Sequence, residues 1–95
     1  MSTFLLFGNY SVKAFKGISS ERTAKSHDLA KKYEGEIKSI YALLSKDDLV
    51  IITEFPGVPE VMKFSVALSK MTGIGFTTSP AVEAAQFDKI MKDVV

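Results

Sequence analysis

The sequence predicts an α+β fold, a β-α-β-β-α-β sandwich with an added C-terminal helix, on three observations. Runs that alternate every second residue and runs with helical spacing follow one another in the order β-α-β-β-α-β-α along 95 residues. The run Leu49 to Phe55 is β-branched and apolar on both faces through Ile52, which suits a strand in the middle of a sheet. Pro80 interrupts the last strand, and a residue with no amide donor belongs at a sheet edge. Right-handed crossovers then give the antiparallel order 4-1-3-2, the ferredoxin-like sandwich, with the apolar strand inside and the proline strand at the rim.

Residues 3–9 form the first strand, with Phe4 and Leu6 on one face and Leu5 and Phe7 on the other. The polar connection after it carries Phe15 and Ile18, expected to pin it onto the core. A helix follows over 20–34, with Ser19 as N-cap, Glu21 at the positive end of the dipole and Gly35 as terminator. Leu29, Ala30, Tyr33 and the stem of Arg22 share its apolar side; Lys25, Asp28, Lys31 and Lys32 lie opposite.

The central hairpin spans 37–55, two strands around the loop Ser45-Lys46-Asp47-Asp48. Strict alternation puts Ile37, Ser39, Tyr41 and Leu43 on one face, and Lys38, Ile40, Ala42 and Leu44 on the other. Pro59 opens a second helix to about Met71, with a stripe of Val61, Phe64, Leu68 and Met71. Met62, Val66 and Ala67 leave little of its circumference polar, so burial on more than one side is expected. Residues 75–82 read as the fourth strand, and 84–94 as a helix with Phe87, Ile90, Met91 and Val94 in one stripe.

Composition bounds the function. At 46% hydrophobic and 24% charged, this is one folded domain over 1–95 and not a disordered chain. Mean hydropathy of +0.15 is on the apolar side and hints at surface meant for a partner. A net charge of +1 is too small to capture nucleic acid or an anionic membrane. No cysteine is present, so disulfides, thiolate chemistry and cysteine-based metal sites, a copper chaperone's included, are excluded. There is neither a signal-like leader nor a membrane-length apolar run, which makes the cytoplasm the default location. Gly73-Ile74-Gly75 follows a helix and lacks Lys-Ser/Thr, so it is no phosphate loop, and no cofactor is called for. An RNA-reading sheet would need stacking aromatics where the third strand offers LVIIT.

With the elements placed, FGNYS (7–11), Phe15 through Arg22, GEIKSIY (35–41), DLVIITEFP (48–56) and FTTSP (76–80) together resemble the GYD domain family almost end to end. FGNYS is similar to that family's Gly-Asn-Trp-Thr, with Tyr10 in place of the tryptophan. The family is named for a Gly, a Tyr and an Asp in the second hairpin. Here Ser45 stands near the Gly position and Asp47 at the Tyr position, and Asp48 alone matches. The resemblance implies a dimeric α/β-barrel type of assembly more than it implies a reaction.

Candidate chemistry is sparse. Asp47 and Asp48 are adjacent carboxylates: one can serve as a base or cation ligand, but Asp is also a good turn residue, the better account of Asp47. His27, the only histidine, is a proton shuttle if it meets a partner in a cleft, and otherwise a surface residue. Asn9, Tyr10, Tyr41 and Thr53 can line a pocket between the sheet and whatever covers it, or pair across an interface. Glu54, if it faces inward, needs Arg22 or Lys38 as partner. No metal site is expected.

Two helices cover one sheet face only, yet the first and third strands are apolar on both. A second copy packed sheet to sheet, braced by the C-terminal helix, is the expected cover; that helix folded across its own sheet is the other. The leading reading is therefore a homodimer or higher homo-oligomer that binds a small molecule without catalysis. A cofactor-free oxygenase or isomerase, in which Asp48 or His27 moves a proton, is the alternative. An ACT-like regulatory unit is a third.

Overall fold

A computed structural model describes residues 1–94. The elements are β1 (Ser2–Tyr10), α1 (Val12–Lys16), α2 (Ser20–Lys32), β2 (Glu36–Ala42), β3 (Leu49–Phe55), α3 (Val58–Thr72), β4 (Ile74–Ala81) and α4 (Ala84–Met91). The four strands form one antiparallel sheet in the order β2-β3-β1-β4, the expected ferredoxin-like arrangement read from its other edge. β3 lies inside and Pro80 sits on the edge strand β4. No helix among the described residues is long and apolar enough to cross a membrane.

One face of the sheet meets α2 and α3. Phe4 and Leu6 of β1 and Ile51, Thr53 and Phe55 of β3 are buried there. Val61, Phe64 and Leu68 of α3 close onto them, with the Phe55 and Phe64 rings 5.1 Å apart between centroids. The α3 stripe continues to Thr72, whose hydroxyl donates to the Leu68 carbonyl (2.7 Å) and accepts from the Ile74 amide (3.1 Å). Met71, expected in that stripe, is exposed because ten residues carry it about 80° off the axis of Val61. Met62 and Val66 are exposed as well, so in one chain α3 is covered on a single side.

Three local expectations are corrected. β2 carries a bulge: Ile37 lies opposite Thr53 but Ser39 opposite Ile52, which leaves Lys38 as an extra residue. The bulge flips the alternation, so Ile37 and Ile40 share the helix-covered face while Ser39 and Tyr41 share the open one. At the end of α2 the left-handed residue is Glu34 (φ 66°), not Gly35. Gly35 is needed for a different reason: a Cβ there would enter the Phe55 ring. The connection after β1 is helical, and its buried residue is Ala14; Phe15 and Ile18 are 64% and 54% exposed.

The second face stays open. Leu5 and Phe7 of β1 stand beside Ile52 and Val50 of β3, with Tyr41 of β2 opposite Val50. α4 buries no residue and so is not the cover; Phe87 and Ile90 remain about half exposed.

Candidate functional site

Three of the six candidate side chains, Asn9, Tyr10 and Asp48, lie where β1 ends. Gly8 lets this corner close, since a Cβ there would lie 2.6 Å from Leu49 Cδ2 and 2.9 Å from both Ile74 Cγ2 and Phe76 Cε1. The Asp48 amide donates to the Gly8 carbonyl (2.8 Å), and the Leu43 amide donates to the Asp48 carbonyl (2.8 Å). These two bonds carry the ladder one step past β3 and set the loop beside β1.

The adjacent carboxylates, in the bend before β3, then take different partners. Asp48 Oδ2 accepts from the Tyr10 amide at 2.8 Å in a partly buried setting. Asp47 Oδ1 accepts from Asn9 Nδ2 at 3.0 Å in solvent. Ser45 Oγ donates to the Asp47 carbonyl at 3.0 Å and tightens the turn. Both carboxylates therefore act as latches between segments 38 residues apart in the chain.

Tyr10 is the hub on the helix side. Its ring meets Phe15 edge-on at 6.0 Å, and the Arg22 guanidinium lies over it at 5.9 Å. Ser11 caps α1 by accepting from the Ala14 amide (3.0 Å), and Ser19 caps α2 by accepting from the Arg22 amide (3.0 Å). Arg22 Nη1 donates to the Ala14 carbonyl at 2.6 Å, which ties the two helix starts together. Outside Tyr10 an open groove of about 660 Å³ is lined by Val12, Phe15, Ile18, Leu43 and Asp48. Behind it, beneath α2, a smaller and more enclosed cavity of about 90 Å³ reaches Arg22, Ser26 and Thr72.

The other candidates lie elsewhere. Thr53 is fully buried in the core, where its hydroxyl donates to the Phe4 carbonyl (2.9 Å), so it lines no pocket on the open face. Tyr41 and Asn9 are exposed on that face, whereas Tyr10 points to the helix side. His27 is exposed on α2 and lines neither cavity. Glu54 sits on the open face opposite Glu36, and the ion pair at 3.8 Å joins Lys38 to Glu36, not to Glu54. Among the described residues no cluster of three His, Cys, Asp or Glu side chains could hold a metal.

Arg22 is the site residue that the sequence suggested only as a helix stem and a partner for Glu54, because its stem suited the apolar side of a helix. The available signal was that it is the sole arginine among twelve basic residues and stands three residues after a helix cap.

Among solved structures, the leucine response regulatory protein of Mycobacterium tuberculosis superposes with a TM-score of 0.58 at 6% identity, over 87% of this chain and 51% of that one. The structure of a glutamate-to-alanine point mutant matches with the same figures. The chain thus spans about half the length of the structures it resembles, and at such low identity the likeness shows the fold alone. No curated protein matches it. The sequence profile of the GYD domain matches residues 4–91, nearly the whole chain, a span that includes Tyr10 and Asp48. The chain belongs to the GYD domain family.

Proposed function

We propose that this chain is a non-catalytic small-molecule-binding module that works as a homodimer, paired through the open face of its sheet. The observation that carries the reading is the uncovered patch of Leu5, Phe7, Val50, Ile52 and Tyr41, contiguous by strand register and partly or largely exposed. Polar residues ring it: Thr77 and Ser79 on β4, Asn9 at one end, Glu36 and Glu54 at the other. An apolar centre with a polar rim is the anatomy of a protein interface.

The dimensions support pairing. A compact protein of 10.4 kDa should expose about 5,400 Å², and this chain exposes 6476 Å². Its radius of gyration is 14.4 Å, against about 12.4 Å for a compact chain of this length. The surplus, roughly 1,100 Å², exceeds the ~800 Å² per partner of a standard interface. α4 is amphipathic and buries no residue within the chain, so its apolar side is available to brace such a pair.

Binding is favoured over proton-moving catalysis because both loop carboxylates are already engaged as acceptors and His27 lines no cavity. A fold neighbour described as a leucine response regulatory protein is in keeping with a binding role. Native mass spectrometry tests the reading: it should report twice the chain mass at micromolar concentration, with a small molecule retained under gentle conditions. A bare monomer overturns it.

A further inference from the structure

We propose that Arg22 is the anchor of a second, intrachain site for a small carboxylate with an apolar or aromatic body. The inference names a ligand class for the binding module and so rests on that reading, but the site lies within one chain and does not need the pairing.

The two cavities at the end of β1 are continuous in their lining: Tyr10 and Ile18 border both. The inner one, about 90 Å³, holds more than a single water and suits a small polar group such as a carboxylate rather than a whole ligand. Among the described residues Arg22 is the only charged one in its wall; the remainder is Tyr10, Phe76, hydroxyls of α2, its cap and α3, and aliphatic side chains. Among the described residues no carboxylate lies within ion-pairing distance of Arg22. One of its five N–H donors is spent on the Ala14 carbonyl, and the fork is held in place by that bond and by the Tyr10 ring. A fixed, partly buried guanidinium with free donors and no acid within ion-pairing distance matches a carboxylate in shape and charge. The first turn of α2, whose positive end borders the same cavity through Ser19, adds to the attraction.

The outer groove selects the rest of the molecule. Val12 and Phe15 are 76% and 64% exposed there although the same short helix buries Ala14 completely, so the sequence keeps large apolar side chains in water beside a charged pocket. Lys16 and Asp48 also border this groove and balance each other, which leaves Arg22 as the net charge that orients a ligand. The carboxylate faces Arg22, and the body lies along Phe15 and Ile18.

The test is a titration of the ¹⁵N-labelled full chain with sodium hexanoate, with hexanamide and sodium phosphate as comparison probes. Hexanoate should shift the amides of Tyr10, Ala14 and Ser19 to Thr23, and hexanamide should bind at least about tenfold more weakly, because it removes the charge-assisted pair. Arg22→Gln should lose hexanoate by a similar factor, and Arg22→Lys, which keeps the charge but not the fork, should fall between. Phe15→Ala should weaken hexanoate several-fold. If Arg22→Gln does not fold, the probe comparison on the native chain and the Arg22→Lys variant still decide. Equal binding of acid and amide, binding of phosphate but not hexanoate, or shifts confined to Leu5, Phe7 and Tyr41 would each overturn the assignment. Dimer mass is read separately, so failure here leaves the pairing intact, and a monomer that still binds hexanoate at Arg22 separates the two in the other direction.

Discussion

Replacing Asp48 by alanine isolates the latch that fixes the end of β1. The variant removes one acceptor, Oδ2, from the Tyr10 amide at 2.8 Å, and leaves the backbone bonds of residue 48 to Gly8 and Leu43 in place. Hydrogen bonds to charged groups contribute about 1.5–3 kcal/mol, and partial exposure puts this one near the lower end, at about 2 kcal/mol. For a domain of this size that lowers the melting temperature by roughly 8–15 °C. Asp47→Ala removes a solvent-exposed bond from Asn9 and should cost only about 0.5 kcal/mol. Asp48→Asn keeps a neutral acceptor and should lose about half as much as Asp48→Ala. Urea unfolding followed by circular dichroism measures all three, at one fixed chain concentration because a dimer's stability depends on it. The structural account of the motif aspartate fails if Asp48→Ala stays within about 0.5 kcal/mol of the parent, or if Asp47→Ala costs as much.

Other sites give equally definite expectations. Phe7→Asp on the open face should turn dimer into monomer in analytical ultracentrifugation with the far-ultraviolet spectrum retained, since Phe7 contributes little to the covered core. Gly8→Ala drives a Cβ between Leu49, Ile74 and Phe76 and should destabilise by about 1–3 kcal/mol in the same urea assay. Phe64→Ala empties a fully buried position against Phe55 and should cost about 3–5 kcal/mol. Glu34→Gly relieves a left-handed non-glycine residue and should raise stability by about 0.5–1 kcal/mol, seen as a higher melting temperature.

The parts of the fold that a sequence states plainly are those with a local cause. β3 shows its central place because β-branched residues occupy both of its faces, and β4 shows its edge through Pro80. Ser19 caps α2 and Gly73, at φ 76°, ends α3, each for reasons contained in a few neighbouring residues. The bulge at Lys38 has no such mark, since an inserted residue in a strand looks like any other, yet it decides which face Tyr41 and Ile40 occupy. α1 is hidden for a similar reason: five residues are too few to show helical spacing, so Phe15 looks buried and Ala14 looks incidental. At the site, Asp48 is visible through family resemblance, but its engagement with Tyr10 spans 38 residues and follows only from strand register.

The end of β1 and the open sheet face also explain why a chain this small can carry two kinds of surface. The core is built entirely on the helix side of the sheet, from Phe4, Leu6, Ile51, Phe55 and the α3 stripe, and nothing in it depends on Leu5, Phe7 or Val50. Alternation along β1 and β3 gives those residues to the other face without loss to the core, so that face is free to meet a second chain. The corner at Tyr10 is separate again. There Gly8 lets Leu49, Ile74 and Phe76 close onto β1, and Arg22, Asp48 and two helix caps add polar bonds beside a cavity. A corner held by hydrogen bonds as well as packed hydrocarbon keeps its shape while part of its volume stays open, which is the condition a preformed ligand site must meet.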